Sequence, residues 1–276
     1  ADVAVNSTSK YINANSSAIS GVITDAGRFK WDEDRYPGMK EFKKFGPFAY
    51  TAKLRNGLFR NTGACLSPQN AFYNSLGMET LGLRMERVCS NAAKLAQFFT
   101  ENYKDITVNY PGLTDSRWHD IAAKQFGDNG YGGIITIRTG SKEKAFGIID
   151  ALKLPLIVSN IGDTKTLVIH PESTLNVHSS EEEKKTAGVF DDLVRISVGI
   201  EDIQRVFADI MEIAVRSFCE IEPAVMRGNR HSLRECPCLI INGNSDYFCP
   251  VTFADKKYGA VIVAVTHGQC AFMGDA

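Results

Sequence analysis

Few residues of this chain offer covalent chemistry. Lys10, in the run Asn6-Ser7-Thr8-Ser9-Lys10-Tyr11, brings a primary amine close to the first residue. A lysine amine attacks carbonyl carbon and can hold an aldehyde covalently. By itself, a lysine behind Ser and Thr describes a solvated surface charge just as well. A second collection lies at the other end: five of the seven cysteines, Cys219, Cys236, Cys238, Cys249 and Cys270, fall after residue 214, as does His267. Cys-x-Cys followed by isolated cysteines fits no standard zinc module, so a metal is not expected. Gly130, Gly132 and Gly133 precede a strand pattern and not a helix, which makes them turn material and not a phosphate cradle.

The segments downstream of Lys10 give it meaning. Leu66-Ser67-Pro68-Gln69-Asn70-Ala71-Phe72, Gly77-Met78-Glu79-Thr80-Leu81-Gly82-Leu83-Arg84-Met85-Glu86-Arg87 and Val108-Asn109-Tyr110-Pro111-Gly112-Leu113 come in that order. After them come Asn160-Ile161-Gly162-Asp163-Thr164-Lys165-Thr166-Leu167-Val168-Ile169-His170-Pro171 and Leu193-Val194-Arg195-Ile196-Ser197-Val198-Gly199-Ile200-Glu201. This series resembles the Cys/Met-metabolism family of pyridoxal-phosphate enzymes, nearest to its O-acetylhomoserine sulfhydrylase branch. The resemblance runs from about Ala1 to Ala214 and corresponds to the C-terminal half of such an enzyme.

The resemblance implies a cofactor, pyridoxal phosphate, with Lys10 as the residue that holds it and that moves protons on the substrate. Ser7 and Ser9 stand where the family uses hydroxyls on the cofactor phosphate; Ser9 replaces a more usual Thr and keeps the hydroxyl. Arg195 stands where the family clamps the substrate carboxylate with a planar guanidinium, and Asn160 where it adds an amide contact. Outside the motif, Arg195 would read as a surface ion pair. Glu79, Asp163 and His170 lie in matching segments and are expected to build scaffold. The chain departs from the family at Asn6, where a His is usual, and at Ile12-Asn13-Ala14-Asn15, where a Gly-His pair is common. The implied partners are an amino-acid substrate such as an O-acylhomoserine, sulfide or a thiol, and further copies of the chain in a homo-oligomer.

Composition agrees with a folded, water-soluble chain: 276 residues, 44% hydrophobic, 23% charged, net charge -1. Glu181-Glu182-Glu183 runs straight into Lys184-Lys185, a mixed solvated face and not a basic stripe, so no nucleic acid is expected. No apolar run approaches the ~18 residues of a membrane span. The odd cysteine count and the lack of a secretory pattern lead to a cytoplasmic expectation, with most thiols reduced.

The elements that must position these residues are legible in outline. Ser67 caps a helix that has Pro68 at its first position. Met85, Val88, Cys89, Ala92, Leu95, Ala96 and Phe99 form the buried stripe of a second helix. Strands are expected near Ile106 to Tyr110, Gly133 to Thr139, Lys165 to Ile169 and Leu193 to Val198. Helices are expected from Ser141 to Leu152, after the Ser180/Glu183 capping box, and along Ile203, Val206, Phe207, Ile210 and Ala214. The fold class is therefore α/β, a small α/β sandwich domain with a remnant of the large domain of a fold-type I enzyme. The expected division is 1–100 for the remnant of the cofactor domain, 101–215 for the small domain, and 216–276 for an appended segment. The opening Ala1-Asp2-Val3-Ala4-Val5 reads as a buried strand whose partners are missing.

The appended segment resembles the tail of an α/β-hydrolase. Gly243-Asn244-Ser245-Asp246 follows an apolar strand as a triad acid would, and His267 follows the strand from Ala260 to Val265. No Gly-x-Ser-x-Gly elbow supplies a nucleophile, and Asp246 also reads simply as a turn residue. Three functions stay open on the sequence. The first is γ-replacement or γ-elimination in sulfur amino-acid metabolism. The second is an incomplete polypeptide that acts only with a full-length partner, because the aromatic ring, acidic group and phosphate contacts the family draws from upstream are not in this sequence. The third is a hydrolase remnant.

Overall fold

The computed structural model describes residues 1–219, with side chains as far as residue 212, and the strand segments 251–252, 261–266 and 269–273. Strand β1 (Val3–Asn6) pairs antiparallel with β2 (Val22–Asp25), Val3 opposite Asp25 and Asn6 opposite Val22. This corrects the expectation of a buried strand without partners. β1 has its partner because the fifteen residues after it fold back on themselves, and it stays largely exposed, Val5 at 72%.

The next stretch forms helices beyond those expected. It forms a 3-10 run at Pro37–Phe48, broken at Gly46 (φ 54) ahead of Pro47, then α1 (Ala49–Lys53), a π turn at Leu54–Phe59 and α2 (Arg60–Thr62). Aromatic packing holds it locally, with Trp31 stacked on Tyr50 at 5.5 Å and edge-on to Tyr36 at 5.3 Å.

Helix α3 (Pro68–Glu79) starts as expected, Ser67 Oγ accepting from the Asn70 amide at 3.2 Å with Pro68 at the first position. Helix α4 (Leu81–Asn102) then buries Val88, Cys89, Ala92, Leu95, Ala96 and Phe99, the stripe legible in the sequence. Strand β3 (Thr107–Asn109), α5 (His119–Phe126), β4 (Ile134–Arg138), α6 (Lys142–Ala151), β5 (Leu156–Ile157), β6 (Leu167–Ile169), α7 (Glu181–Thr186), β7 (Leu193–Ser197) and α8 (Ile203–Cys219) complete this part. The capping box is formed: Ser180 Oγ accepts from the Glu183 amide at 3.3 Å, and Glu183 accepts from the Ser180 amide at 2.8 Å.

The five strands order as β3-β4-β7-β6-β5, and only β5 and β6 run parallel. Alternation puts Ile135 and Ile137 of β4 and Val194 and Ile196 of β7 on the face that meets the helices. There they join Leu95 and Phe99 of α4, Ala145 and Ile149 of α6, and Val206 and Ile210 of α8 in one cluster. Each fully buried aliphatic side chain of this kind contributes roughly 1.5–3 kcal/mol. The same alternation turns Arg195 and Ser197 toward the opposite face, with Thr136 of β4 across from Arg195. A mixed sheet with helices packed on it is the α/β sandwich expected.

Further along, β8 (Val251–Thr252), β9 (Val261–Thr266) and β10 (Gln269–Met273) form an antiparallel sheet in the order β10-β9-β8. The strand expected at Ala260 to Val265 is β9. Gly243, Asp246, His267 and the cysteine side chains after residue 214 lie outside the described residues. Among the described residues, no helix is long and apolar enough to cross a membrane.

Candidate functional site

Lys10 sits in the turn after β1. The Asn13 amide donates to Thr8 O at 3.0 Å and to Lys10 O at 3.1 Å, and the Ala14 amide to Lys10 O at 3.2 Å, which winds the turn around the lysine. Lys10 Nζ donates to Asn160 Oδ1. Asn160, on the loop between β5 and β6, donates through Nδ2 to Ser16 Oγ at 2.5 Å. Its carbonyl accepts from Arg195 Nη2 at 3.2 Å. Lys10, Asn160 and Arg195 are all half-buried. Three residues drawn from the beginning, middle and end of the family-like region thus meet at one place.

Their electrostatics are unusual in one respect. Among the described residues, neither Lys10 nor Arg195 has a carboxylate within ion-pair distance. Burial lowers the Arg195 pKa from the usual arginine range. A partly desolvated guanidinium that donates to a neutral carbonyl keeps donors for an incoming anion.

Ser7 and Ser9 differ. The Ser7 side chain is exposed, while its carbonyl accepts from the Lys10 amide at 3.3 Å. Ser9 Oγ donates to Ser20 O at 3.2 Å and accepts from the Ser20 amide at 2.8 Å, so its hydroxyl is engaged with the main chain.

Several positioning groups carry no motif that would single them out in the sequence. Thr8 Oγ1 donates to Ser20 Oγ at 2.6 Å. Asn74 Nδ2 reaches Ser20 Oγ at 3.0 Å and Thr8 Oγ1 at 3.3 Å, and Asn13 Nδ2 reaches Asn74 Oδ1 at 3.4 Å. Thr8, Asn13 and Asn74 are buried, so this network joins the lysine turn to α3. Asn13, a departure from the family pattern, is part of it. On the other side, Gly162 (φ 74) packs on Tyr11, and its amide donates to Ser197 Oγ at 3.0 Å. The Tyr11 phenol lies against Gly133 and Ser197, and burial, reinforced by Cys89, pushes its pKa up. The Thr164 amide closes the junction on Ala14 O at 3.0 Å. Asp163 accepts from Ser16 Oγ and the Lys165 amide, both at 3.0 Å, and His170 bonds Ser173 Oγ at 2.9 Å and Asp191 O at 2.7 Å, which is the scaffolding expected of them.

With this geometry in place, residues 1–214 match the family described as Cys/Met metabolism PLP-dependent enzyme, PLP being pyridoxal phosphate. The chain belongs to this family. A sulfhydrylase of Gibberella moniliformis is 39% identical over 222 residues, which cover 76% of this chain and 51% of that protein. The O-acetyl-L-homoserine sulfhydrylase of Corynebacterium glutamicum is 38% identical over 226 residues, again 76% of this chain and 51% of that protein. A Campylobacter jejuni structure described as an O-acetylhomoserine (thiol)-lyase, with a pyridoxyl-lysine phosphate in it, superposes with a TM-score of 0.70 at 32% identity, covering 77% of this chain and 53% of that one. The chain spans about half the length of the curated relatives it matches. Like these Cys/Met metabolism enzymes, it has the fold-type I architecture over the part that matches.

Proposed function

We propose that Lys10 holds pyridoxal phosphate and that the site carries out γ-replacement or γ-elimination on an O-acylhomoserine, with sulfide or a thiol as the second substrate. The observation that carries the reading is the convergence of Lys10, Asn160 and Arg195 through two hydrogen bonds, both made to Asn160. The residues fit the group: Lys10 is a half-buried primary amine, able to hold an aldehyde covalently, and its hydrogen-bond partner is the Asn160 amide oxygen.

When bound, the cofactor supplies an electron sink for the bonding pair released at the substrate's Cα. The chain's own residues do the rest. Arg195 Nη2 and the Asn160 amide orient the substrate carboxylate, which fixes the Cα-H bond to be broken. Lys10 Nζ, hydrogen-bonded to Asn160, would take that proton and then one from Cβ, and the Cβ–H bonding pair would expel the γ substituent as a carboxylate. Ser7 offers the free hydroxyl to the phosphate. Ser9 adds its own by giving up the 3.2 Å bond to Ser20 O.

We place the division of labour at 1–100 for the lysine turn and linking helices, 101–215 for the sheet that carries Arg195, and 216–276 for the appended segment. A second reading, activity only in association with a full-length partner, is supported by the exposed apolar side chains Phe72, Leu76, Met78 and Leu83 on α3 and α4, at 55, 45, 61 and 72% exposure. An absorbance titration with pyridoxal phosphate, then borohydride trapping and mass mapping, tests the first reading. One equivalent fixed at Lys10 is expected. Labelling scattered over surface lysines would overturn it.

A further inference from the structure

We propose that Arg84 is a positioning residue for Lys10, its guanidinium fixing the backbone of the turn that presents the amine. The inference rests on the proposed role of Lys10 and concerns what holds that lysine in register with Asn160.

Arg84 occupies the first turn of α4, one turn before Val88 on the stripe that is otherwise apolar, and is only 8% exposed. Nη1 donates to Tyr11 O at 2.6 Å. Nη2 donates to Gly77 O at 2.5 Å and to Ile12 O at 3.5 Å, and Nε to Thr80 Oγ1 at 3.0 Å. Among the described residues no carboxylate pairs with it. Burial lowers its pKa, the sign of a cation held away from water. A buried charge is costly unless its donors are used. Here the acceptors are the carbonyls of the two residues directly after Lys10, one carbonyl near the end of α3 and one hydroxyl.

Those carbonyls explain why the position is arginine. Tyr11 O and Ile12 O belong to a turn outside any strand or helix ladder, and Gly77 O is one of the last carbonyls of α3, which lack an intrahelical partner. A planar fork with five donors can reach all three at once, and a lysine ammonium lacks that geometry. Gly77 lets the two segments touch, because a Cβ there would overlap the Ile12 carbonyl oxygen. Across the turn, a Cβ at Gly162 would lie 2.7 Å from the Tyr11 nitrogen. The turn is thus gripped from α3 and α4 on one side and from the 160–164 loop on the other, and Arg84 supplies the charged donor of the helical side.

The test compares the unsubstituted chain with Arg84→Gln, Arg84→Lys and Thr80→Val. Two quantities are read: amide hydrogen exchange of the peptides covering residues 8–14, and the share of trapped pyridoxal adduct at Lys10. Arg84→Gln is expected to speed exchange at 8–14 by about tenfold or more, with the β4 and β7 amides unchanged, and to shift adduct from Lys10 to other lysines. Arg84→Lys should fall between, and Thr80→Val, which removes only the Nε anchor, should act in the same direction but less. Unchanged exchange at 8–14, or an equal rise throughout the sheet, would overturn the proposal. If Arg84→Gln fails to fold, Thr80→Val decides by the same two readouts. Adduct scattered over the lysines of the unsubstituted chain would instead sink the cofactor reading, and the exchange data would still show whether Arg84 holds the turn.

Discussion

Lys10 Nζ and Asn160 Oδ1 form a hydrogen bond across 150 residues of sequence. The bond ties the turn after β1 to the loop between β5 and β6, and the same asparagine passes the connection to Arg195 on β7 through its carbonyl. A short chemical motif near the chain start is completed only by the far side of the sheet.

Removing the amine separates chemistry from folding. Lys10 is half-buried and its side-chain bond is to one amide, so Lys10→Ala should change stability by no more than about 1 kcal/mol. It should also abolish the trapped adduct and the visible absorbance with pyridoxal phosphate. Retained absorbance at full stoichiometry in Lys10→Ala is the result that would discard the assignment.

Arg195 should matter to the substrate and not to the colour. Among the described residues the Arg195 side chain hydrogen-bonds one carbonyl, so Arg195→Ala should leave the cofactor spectrum in place and lower kcat/KM toward an O-acylhomoserine about a hundredfold or more. Arg195→Lys should recover little, because a point charge does not reproduce a two-point clamp. Joint loss of colour and activity would make Arg195 a structural residue.

Gly162 tests the junction through backbone geometry. Its φ of 74 lies in the left-handed region, and an added Cβ would stand 2.7 Å from Tyr11 N. The conformation alone should cost Gly162→Ala about 1–3 kcal/mol, and the overlap should push the lysine turn away from Asn160. Thermal melting and the rate of adduct formation at Lys10 should both fall. An unchanged melt would mean that the loop relaxes freely.

A fourth expectation concerns pH and lies away from the site. Glu172 accepts from Lys184 Nζ at 2.6 Å and from Lys142 Nζ at 3.1 Å, and these bonds lower its pKa to about 2 from an ordinary value of 4.5. A carboxyl whose pKa is lower in the folded state stabilises fully above its unfolded value and loses that contribution as pH falls through the folded one. The pair should therefore weaken between about pH 4.5 and about pH 2. Glu172→Gln should flatten the fall in melting temperature across that window; an identical acid profile for both proteins would show that the pair contributes nothing.

Elements with local signals can be read along the chain. Ser67 and Pro68 mark the start of α3, the Ser180/Glu183 box marks α7, and the spacing from Met85 to Phe99 marks α4, since capping and periodicity act within one or two turns of chain. Ordered motifs also exposed the family, and with it Lys10, Asn160 and Arg195. Arg84 leaves a fainter sign: a charge on a buried stripe has to be satisfied from inside. Tertiary structure alone decided the rest. The helical stretch from Pro37 to Thr62 has no side-chain cap, breaks at Gly46 and is packed by aromatic contacts, and β1 acquires its partner only because the chain returns as β2. The meeting of Lys10 with Asn160, the engagement of Ser9 by Ser20, and the grip of Arg84 on Tyr11 and Ile12 depend on side chains brought together from distant segments, and no spacing along the chain encodes such distances.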